Sequence, residues 1–128
     1  MTSEGVRRQY ALLEEYAKKI ESEIEEVTLR MKEMTVSQEC SSLCAINYKM
    51  KLVRETIQEH FREASRAMNS FGHQDFYTNQ YNQKRLERLA SEAKQELDFV
   101  ISDKKRVYII TELAMDKEGK YPRMVKYL

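Results

Sequence analysis

Apolar residues in the first quarter of the chain recur at alternating intervals of four and three. The row consists of Val6, Tyr10, Leu13, Ala17, Ile20, Ile24, Val27, Met31 and Met34. This alternation is the heptad period of an α-helix that buries one stripe against another helix. Charged residues flank the stripe, as is usual beside a heptad seam. The pattern predicts a helix over about residues 4–34, with Leu12, Tyr16 and Leu29 widening its buried face.

A second apolar row recurs every seven residues, at Val36, Leu43, Met50, Ile57, Ala64 and Phe71. It has apolar neighbours on both sides, with Cys40, Phe61 and Met68 on one and Ile46, Val53 and Ala67 on the other. A stripe this wide indicates a helix that faces two partner helices. With Ser37 as a suitable N-cap, the row predicts a helix over about residues 37–71.

A third apolar row, in the last part of the chain, again has alternating intervals of four and three residues, and Lys104 interrupts it. It consists of Leu86, Ala90, Ala93, Leu97, Val100 and Val107, and it is broadened by Leu89, Ile101, Tyr108, Ile110, Leu113 and Ala114. Gly72 suits the end of the preceding helix, and Gly119 and Pro122 do not favour continuation beyond about Lys117. The row predicts a helix over about residues 76–117.

Three long amphipathic helices predict an all-α protein, an elongated up-down-up three-helix bundle with coiled-coil-like packing. The bundle domain spans residues 1–117, and residues 118–128 form a basic and aromatic tail. An alternative stays open because the first connection, MTVSQ, contains neither Gly nor Pro. In that alternative the first two segments are one long helix, which pairs with a hairpin to form a dimer.

Composition narrows the class of protein further. Charged residues make up 34% of the chain, with only three Gly and one Pro, which favours helical bundles over sandwiches and barrels. A net charge of +1 provides no global field for nucleic acid, so a nucleic-acid partner is not expected. No stretch of 18 apolar residues or secretory h-region occurs, and we expect an intracellular, cytoplasmic protein without a membrane span.

Candidate chemistry is sparse. Cys40 and Cys44 lie one helical turn apart, but a structural zinc needs about four ligands. His60 lies on the same predicted helix, roughly 24 Å from Cys44 at the helical rise. We therefore expect the two cysteines to pack as small hydrophobic residues and His60 to lie on the helix surface. No catalytic residue, metal ligand or cofactor is predicted, and the chain is not expected to be an enzyme.

Three polar residues interrupt the predicted apolar rows. Asn47 and Arg54 lie on the Cys40–Phe61 row, and Lys104 lies on the row of the third helix. Long Arg and Lys side chains commonly extend from such positions to the surface, which is the interpretation favoured here. For Asn47 the pattern favours neither burial nor exposure.

The segment NSFGHQDFYTNQYNQ, residues 69–83, combines aromatic rings with adaptable polar side chains, a composition typical of binding surfaces. Its candidate partner-binding residues are Phe71, His73, Phe76, Tyr77 and Tyr81. The alternative is that these rings plug one end of the bundle. The tail adds three further candidates, Tyr121, Arg123 and Lys126, and a weak contact with an anionic surface is a second role for it.

These patterns favour a non-enzymatic helical adaptor or structural subunit that docks partner helices or peptides in a larger coiled-coil assembly. Cytoskeletal, ciliary and membrane-traffic machinery are the expected settings, and the partner is a helical or coiled-coil protein, including another copy of the chain. The alternative is a small helical chaperone or regulator that binds a client peptide in an apolar groove. Methionine exposure separates the two, because an adaptor buries its methionines while a client-binding groove displays them. The diagnostic residues are Met31, Met34, Met50 and Met68.

Overall fold

The computed structural model describes residues 3–32, 40–70 and 76–114, which form three α-helices. These are α1 (Ser3–Lys32), α2 (Cys40–Ser70) and α3 (Phe76–Ala114). Within those ranges no residue is in a strand, so the predicted all-α class is confirmed. The two connections and the tail predicted over 118–128 lie outside the described residues.

Side-chain contacts give the direction of each helix. Tyr10 of α1 meets Phe61 of α2, while Glu21 meets Arg54, so later residues of α1 face earlier residues of α2. The two helices are therefore antiparallel, and the alternative of one continuous helix over the first two segments is wrong.

The third helix reverses direction once more. Glu63 of α2 binds Arg85 of α3, while Lys49 lies over the ring of Phe99, which makes this pair antiparallel as well. The predicted up-down-up bundle is confirmed.

The most extensive packing joins α1 and α3, which are parallel and not consecutive. Two contacts fix their register, because Glu23–Lys104 and Arg30–Thr111 each join residues 81 apart. A residue of α1 thus lies beside the residue of α3 whose number is 81 higher. Packing between α2 and α3 is intermediate, and packing between α1 and α2 is the least extensive.

The heptad seam of α1 lies in the bundle core. Its buried members are at most 2% exposed, and they are Val6, Leu13, Ile20, Ile24 and Val27. Tyr10, Ala17 and Met31 are partly buried and pack against the same core. Each fully buried aliphatic side chain contributes about 1.5–3 kcal/mol to stability. The chain therefore uses this seam to hold its own three helices together.

The other two predicted rows face the same core. Their buried members include Leu43, Met50, Ile57 and Ala64 of α2, and Leu86, Ala93, Val100 and Val107 of α3. In α2 the neighbouring row of Ile46, Val53 and Ala67 is also buried, consistent with a helix that faces two partners.

Two leucines expected to widen the buried faces are on the surface instead. Leu29 is 57% exposed and Leu113 is 84% exposed. Each follows a buried residue, Val27 or Thr111, by two positions, which turns the side chain about 200° around the helix axis. Neither residue extends the core.

Candidate functional site

Two tyrosines of the predicted aromatic surface lie at the start of α3. Tyr77 is 80% exposed and Tyr81 is 63% exposed. At a spacing of four residues they share one face of the helix. The interpretation of these two rings as a plug in the bundle is therefore wrong, and they form an exposed aromatic surface. We call it the tyrosine pair.

The remaining predicted partner-binding residues are not described at side-chain level. Phe76 begins α3, and its ring is outside the described side chains. The others, Phe71, His73, Tyr121, Arg123 and Lys126, lie outside the described residues.

A row of charged side chains continues along α3 from the tyrosine pair and crosses to α2. Arg85 and Arg88 both donate to Oε1 of Glu63, at 2.8 and 2.7 Å. Arg88 also approaches Glu92 at 3.4 Å. The hydrogen bond from Arg85, more than any other cause, lowers the pKa of Glu63, although partial burial opposes the shift. We call Glu63, Arg85, Arg88 and Glu92 the α2–α3 charge ladder. It joins the two helices next to the exposed rings.

His60 belongs to the same ladder, and its predicted place on the surface is wrong. Its side chain is only 12% exposed, and Nε2 lies 3.4 Å from Oε2 of Glu92. That separation is within ion-pair range, but Nε2 is buried and makes no hydrogen bond. His60 lies three residues after buried Ile57 and three before Glu63, so it is on the side of α2 that meets α3.

Between α1 and α2 the surface opens into a groove of about 470 Å³. Its lining is apolar except for three polar side chains, and consists of Ala17, Ile20, Glu21, Arg54, Ile57, Gln58 and Phe61. We call it the α1–α2 groove. Arg54 spans its rim and donates two hydrogen bonds to Glu21, at 3.1 and 2.7 Å. The pair is substantially exposed, so it holds the helices together weakly.

The interruptions in the apolar rows have three different outcomes. Arg54 reaches the groove rim, consistent with the predicted extension to the surface. Asn47 is exposed, which resolves the open question. Lys104 is only 24% exposed and donates to Glu23 at 2.8 Å and Glu26 at 2.6 Å. Its charged end therefore lies at the edge of the α1–α3 interface, consistent with the predicted extension, and is held there by two carboxylates.

Charge pairing at the α1–α3 interface is dense. The hydrogen bond to Glu23, followed by that to Glu26, raises the pKa of Lys104, so its charge persists throughout the neutral range. The ring of Tyr108 has Arg30 at 5.0 Å and Lys104 at 5.9 Å from its centroid. Both cations therefore lie within range of a cation–π contact with one ring.

The predicted core packing of the cysteines is wrong for Cys44, which is exposed. Cys44 follows buried Leu43 by one residue and is turned about 100° away from the core. Cys40 begins α2, but its side chain is not described.

The methionines separate the two functional hypotheses in part. Met50 is 1% exposed, while Met31 and Met68 are partly buried against the core. None of the three lines the α1–α2 groove. Met34 lies outside the described residues.

The described residues contain neither a candidate metal site nor a membrane span. Within residues 3–32, 40–70 and 76–114, no group of three or more His, Cys, Asp or Glu side chains could hold a metal ion. Over the same ranges, no helix has the length and apolar character needed to cross a bilayer.

Comparisons with protein-family models, curated proteins and solved structures found no match to this chain.

Proposed function

We propose that this protein is a non-enzymatic helical adaptor or structural subunit that binds a protein partner through the tyrosine pair. The observation that carries the proposal is the exposure of Tyr77 and Tyr81, at 80% and 63%, on one face of α3. Large rings with a polar tip gain contact area on binding at low entropic cost, which is why tyrosine is common at interfaces. Their display on a long helix suits a partner that presents its own helix or peptide.

The heptad seam is not the partner-binding surface in this proposal. A seam buried in the bundle is not available to pair with a partner helix. The partner must therefore bind the outer surface, where the tyrosine pair provides apolar area and the nearby charge ladder provides orientation. A cytoplasmic setting in cytoskeletal, ciliary or membrane-traffic assemblies remains part of this proposal.

The test is quantitative partner capture with matched variants. The double variant Tyr77→Ala/Tyr81→Ala removes the proposed surface, and Tyr48→Ala is the control because Tyr48 is 61% exposed on a different helix. We expect the double variant to lose partners that the wild type and Tyr48→Ala retain in the same stoichiometry. Circular dichroism should show equal helicity for all three. A partner set that survives the double variant unchanged would refute the proposal.

The α1–α2 groove favours a second candidate, a small chaperone or regulator that binds a client peptide. Its apolar side chains suit this role, but none of the three described methionines, Met31, Met50 and Met68, lines it. Suppression of aggregation of an unfolded reference protein separates the two candidates. An adaptor leaves the aggregation unchanged, whereas a chaperone slows it, and slowing that Phe61→Ala abolishes would establish the second candidate.

A further inference from the structure

The outer face of α3, opposite its buried row, carries exposed apolar side chains at both ends. The tyrosine pair lies at the amino end, and Ile109 and Leu113 lie at the carboxyl end, both exposed. Tyr77 and Leu113 are 36 residues apart, which is ten turns of an α-helix, so they lie on the same side. One helix face therefore carries an aromatic end and an aliphatic end, each without a cover in the described chain.

We propose that the partner of the tyrosine pair is a second copy of this chain, bound antiparallel through the outer face of α3. The inference rests on the proposed function, because it names the protein that the tyrosine pair binds. A two-fold interface uses the same surface on both copies, so that surface must be complementary to itself. The outer face of α3 meets this requirement in its apolar ends and in its charges.

The apolar ends fit each other when the two-fold axis passes at the level of position 96. In an antiparallel pair, residues at equal distances before and after the axis are level with each other. Tyr81, fifteen residues before the axis, is then level with the point midway between Ile109 and Leu113 of the second copy. Leu113, seventeen residues after the axis, is level with the point midway between Tyr77 and Tyr81. Each large side chain enters the space between two others, as in coiled-coil packing.

The same register brings opposite charges together in the middle of the helix. Glu87 and Lys105 lie nine residues on either side of position 96, and Lys94 and Asp98 lie two residues on either side. All four side chains are exposed, and the helical period places them within about 40° of one another around the axis of α3. None of the four forms an ion pair within the described chain.

These charges also decide the direction of the second copy. The two-fold symmetry repeats the pairs Glu87–Lys105 and Lys94–Asp98, so each occurs twice between antiparallel copies. A parallel arrangement would instead place every charge beside its own equivalent, which costs free energy. Exposed ion pairs contribute little affinity, so the apolar ends supply most of it and the charges supply register and direction.

Self-association would cover the tyrosine pair with the aliphatic end of the second copy. Any other protein that binds Tyr77 and Tyr81 would therefore compete with the second copy for the same surface. The balance between the two complexes would then depend on the concentration of the chain itself.

Solution mass by light scattering over a wide concentration range tests the proposal, in reducing buffer because Cys44 is exposed. We expect the mass to rise with concentration from 15.3 kDa to twice that value. Tyr77→Ala/Tyr81→Ala should weaken self-association, and Ile109→Ala/Leu113→Ala should weaken it as much, although it changes the other end of the helix. Circular dichroism should show equal helicity, since all four side chains are exposed.

Charge reversal tests the register and the direction. Lys105→Glu and Glu87→Lys each make two pairs repulsive and should each weaken self-association about tenfold. A mixture of these two variants should associate as well as the wild type, because every pair between the two different chains is again of opposite sign. Lys51→Glu, the same charge change on an exposed position of α2, is the control and should have no effect.

Three outcomes would overturn the inference. A mass of 15.3 kDa at every concentration would exclude a second copy as the partner, and capture of a different protein through Tyr77 and Tyr81 would then leave the proposed function standing. A dimer that forms equally well in every variant would lie on another surface. Failure of the mixed charge variants to associate better than either alone would refute the antiparallel register.

Discussion

The α1–α3 and α1–α2 interfaces share one helix but differ in construction. Toward α3, α1 packs along a parallel partner and places Lys104 between Glu23 and Glu26. Toward α2, it leaves a groove of about 470 Å³ crossed by the exposed pair of Glu21 and Arg54. The difference is one of packing, because the α1–α3 interface is the more extensive and the α1–α2 interface leaves an open groove.

Truncation of an apolar side chain should show the largest difference between the interfaces. Ile24 is 0% exposed, whereas Ile57 is 7% exposed and lines the groove. We expect Ile24→Ala to lower the free energy of unfolding by about 3–4 kcal/mol and Ile57→Ala by about 2 kcal/mol. Urea unfolding followed by circular dichroism measures both. Equal losses would mean that the groove side is as well packed as the closed side.

Removal of the cation from each interface should give a smaller difference. Lys104→Ala leaves Glu23 and Glu26 facing each other, and we expect a loss of about 1–2 kcal/mol in unfolding free energy. Arg54→Ala breaks an exposed pair and should cost less than about 0.5 kcal/mol. Lys104→Met keeps most of the packing and isolates the effect of the charge. If both alanine variants lose the same stability at low and high salt, the two pairs are equivalent.

The α2–α3 charge ladder should give the smallest effect, visible as a dependence on pH. Because the folded state lowers the pKa of Glu63, mainly through its hydrogen bond with Arg85, ionisation of this carboxyl favours folding. The gain is present above the ordinary pKa of 4.5 and is lost as the pH falls through the lower value of the folded state. With a side chain 30% exposed, Glu63 should contribute less than about 1 kcal/mol.

Chemical unfolding at pH 7 and pH 3 measures this contribution. The wild type should be more stable than Glu63→Gln at pH 7, and the difference should shrink at pH 3. Arg85→Ala removes the principal cause of the lowered pKa of Glu63. In the Arg85→Ala background, Glu63→Gln should therefore reduce the free energy of unfolding at pH 7 by less than it does in the wild type. A difference that is the same at both pH values would show that the ladder does not contribute through ionisation.

The sequence predicts the helices and their buried faces well because an apolar period of 3.5 residues specifies both at once. Leu13, Ile24 and Val100 are all predicted to be buried and all are 0% exposed. Prediction fails where the stripe is extended by residues outside that period. Leu29 and Leu113 are apolar, but the rotation of the helix points them to solvent.

The candidate site is less predictable than the fold. Periodicity shows that a helix has a buried face but not which helix covers it, so the dominance of the α1–α3 pair and the α1–α2 groove had no signal in the sequence. The burial of His60 escapes prediction for the same reason, since the side chain that its Nε2 approaches, Glu92, is thirty-two residues away on another helix. Exposure of Tyr77 and Tyr81, by contrast, agrees with an aromatic segment rich in polar neighbours.

The parallel arrangement of α1 and α3 also affects how the chain folds. Their contacts join residues 78 to 81 apart, so the largest interface in the bundle closes the longest loop. Loop closure costs more entropy as the loop lengthens, and the α2–α3 hairpin, with contacts 22 to 25 residues apart, should form earlier. Until α1 docks, its seam is exposed to solvent and can bind the hairpin of a second copy through the same contacts. Refolding at high protein concentration should therefore produce domain-swapped dimers in which α1 is exchanged.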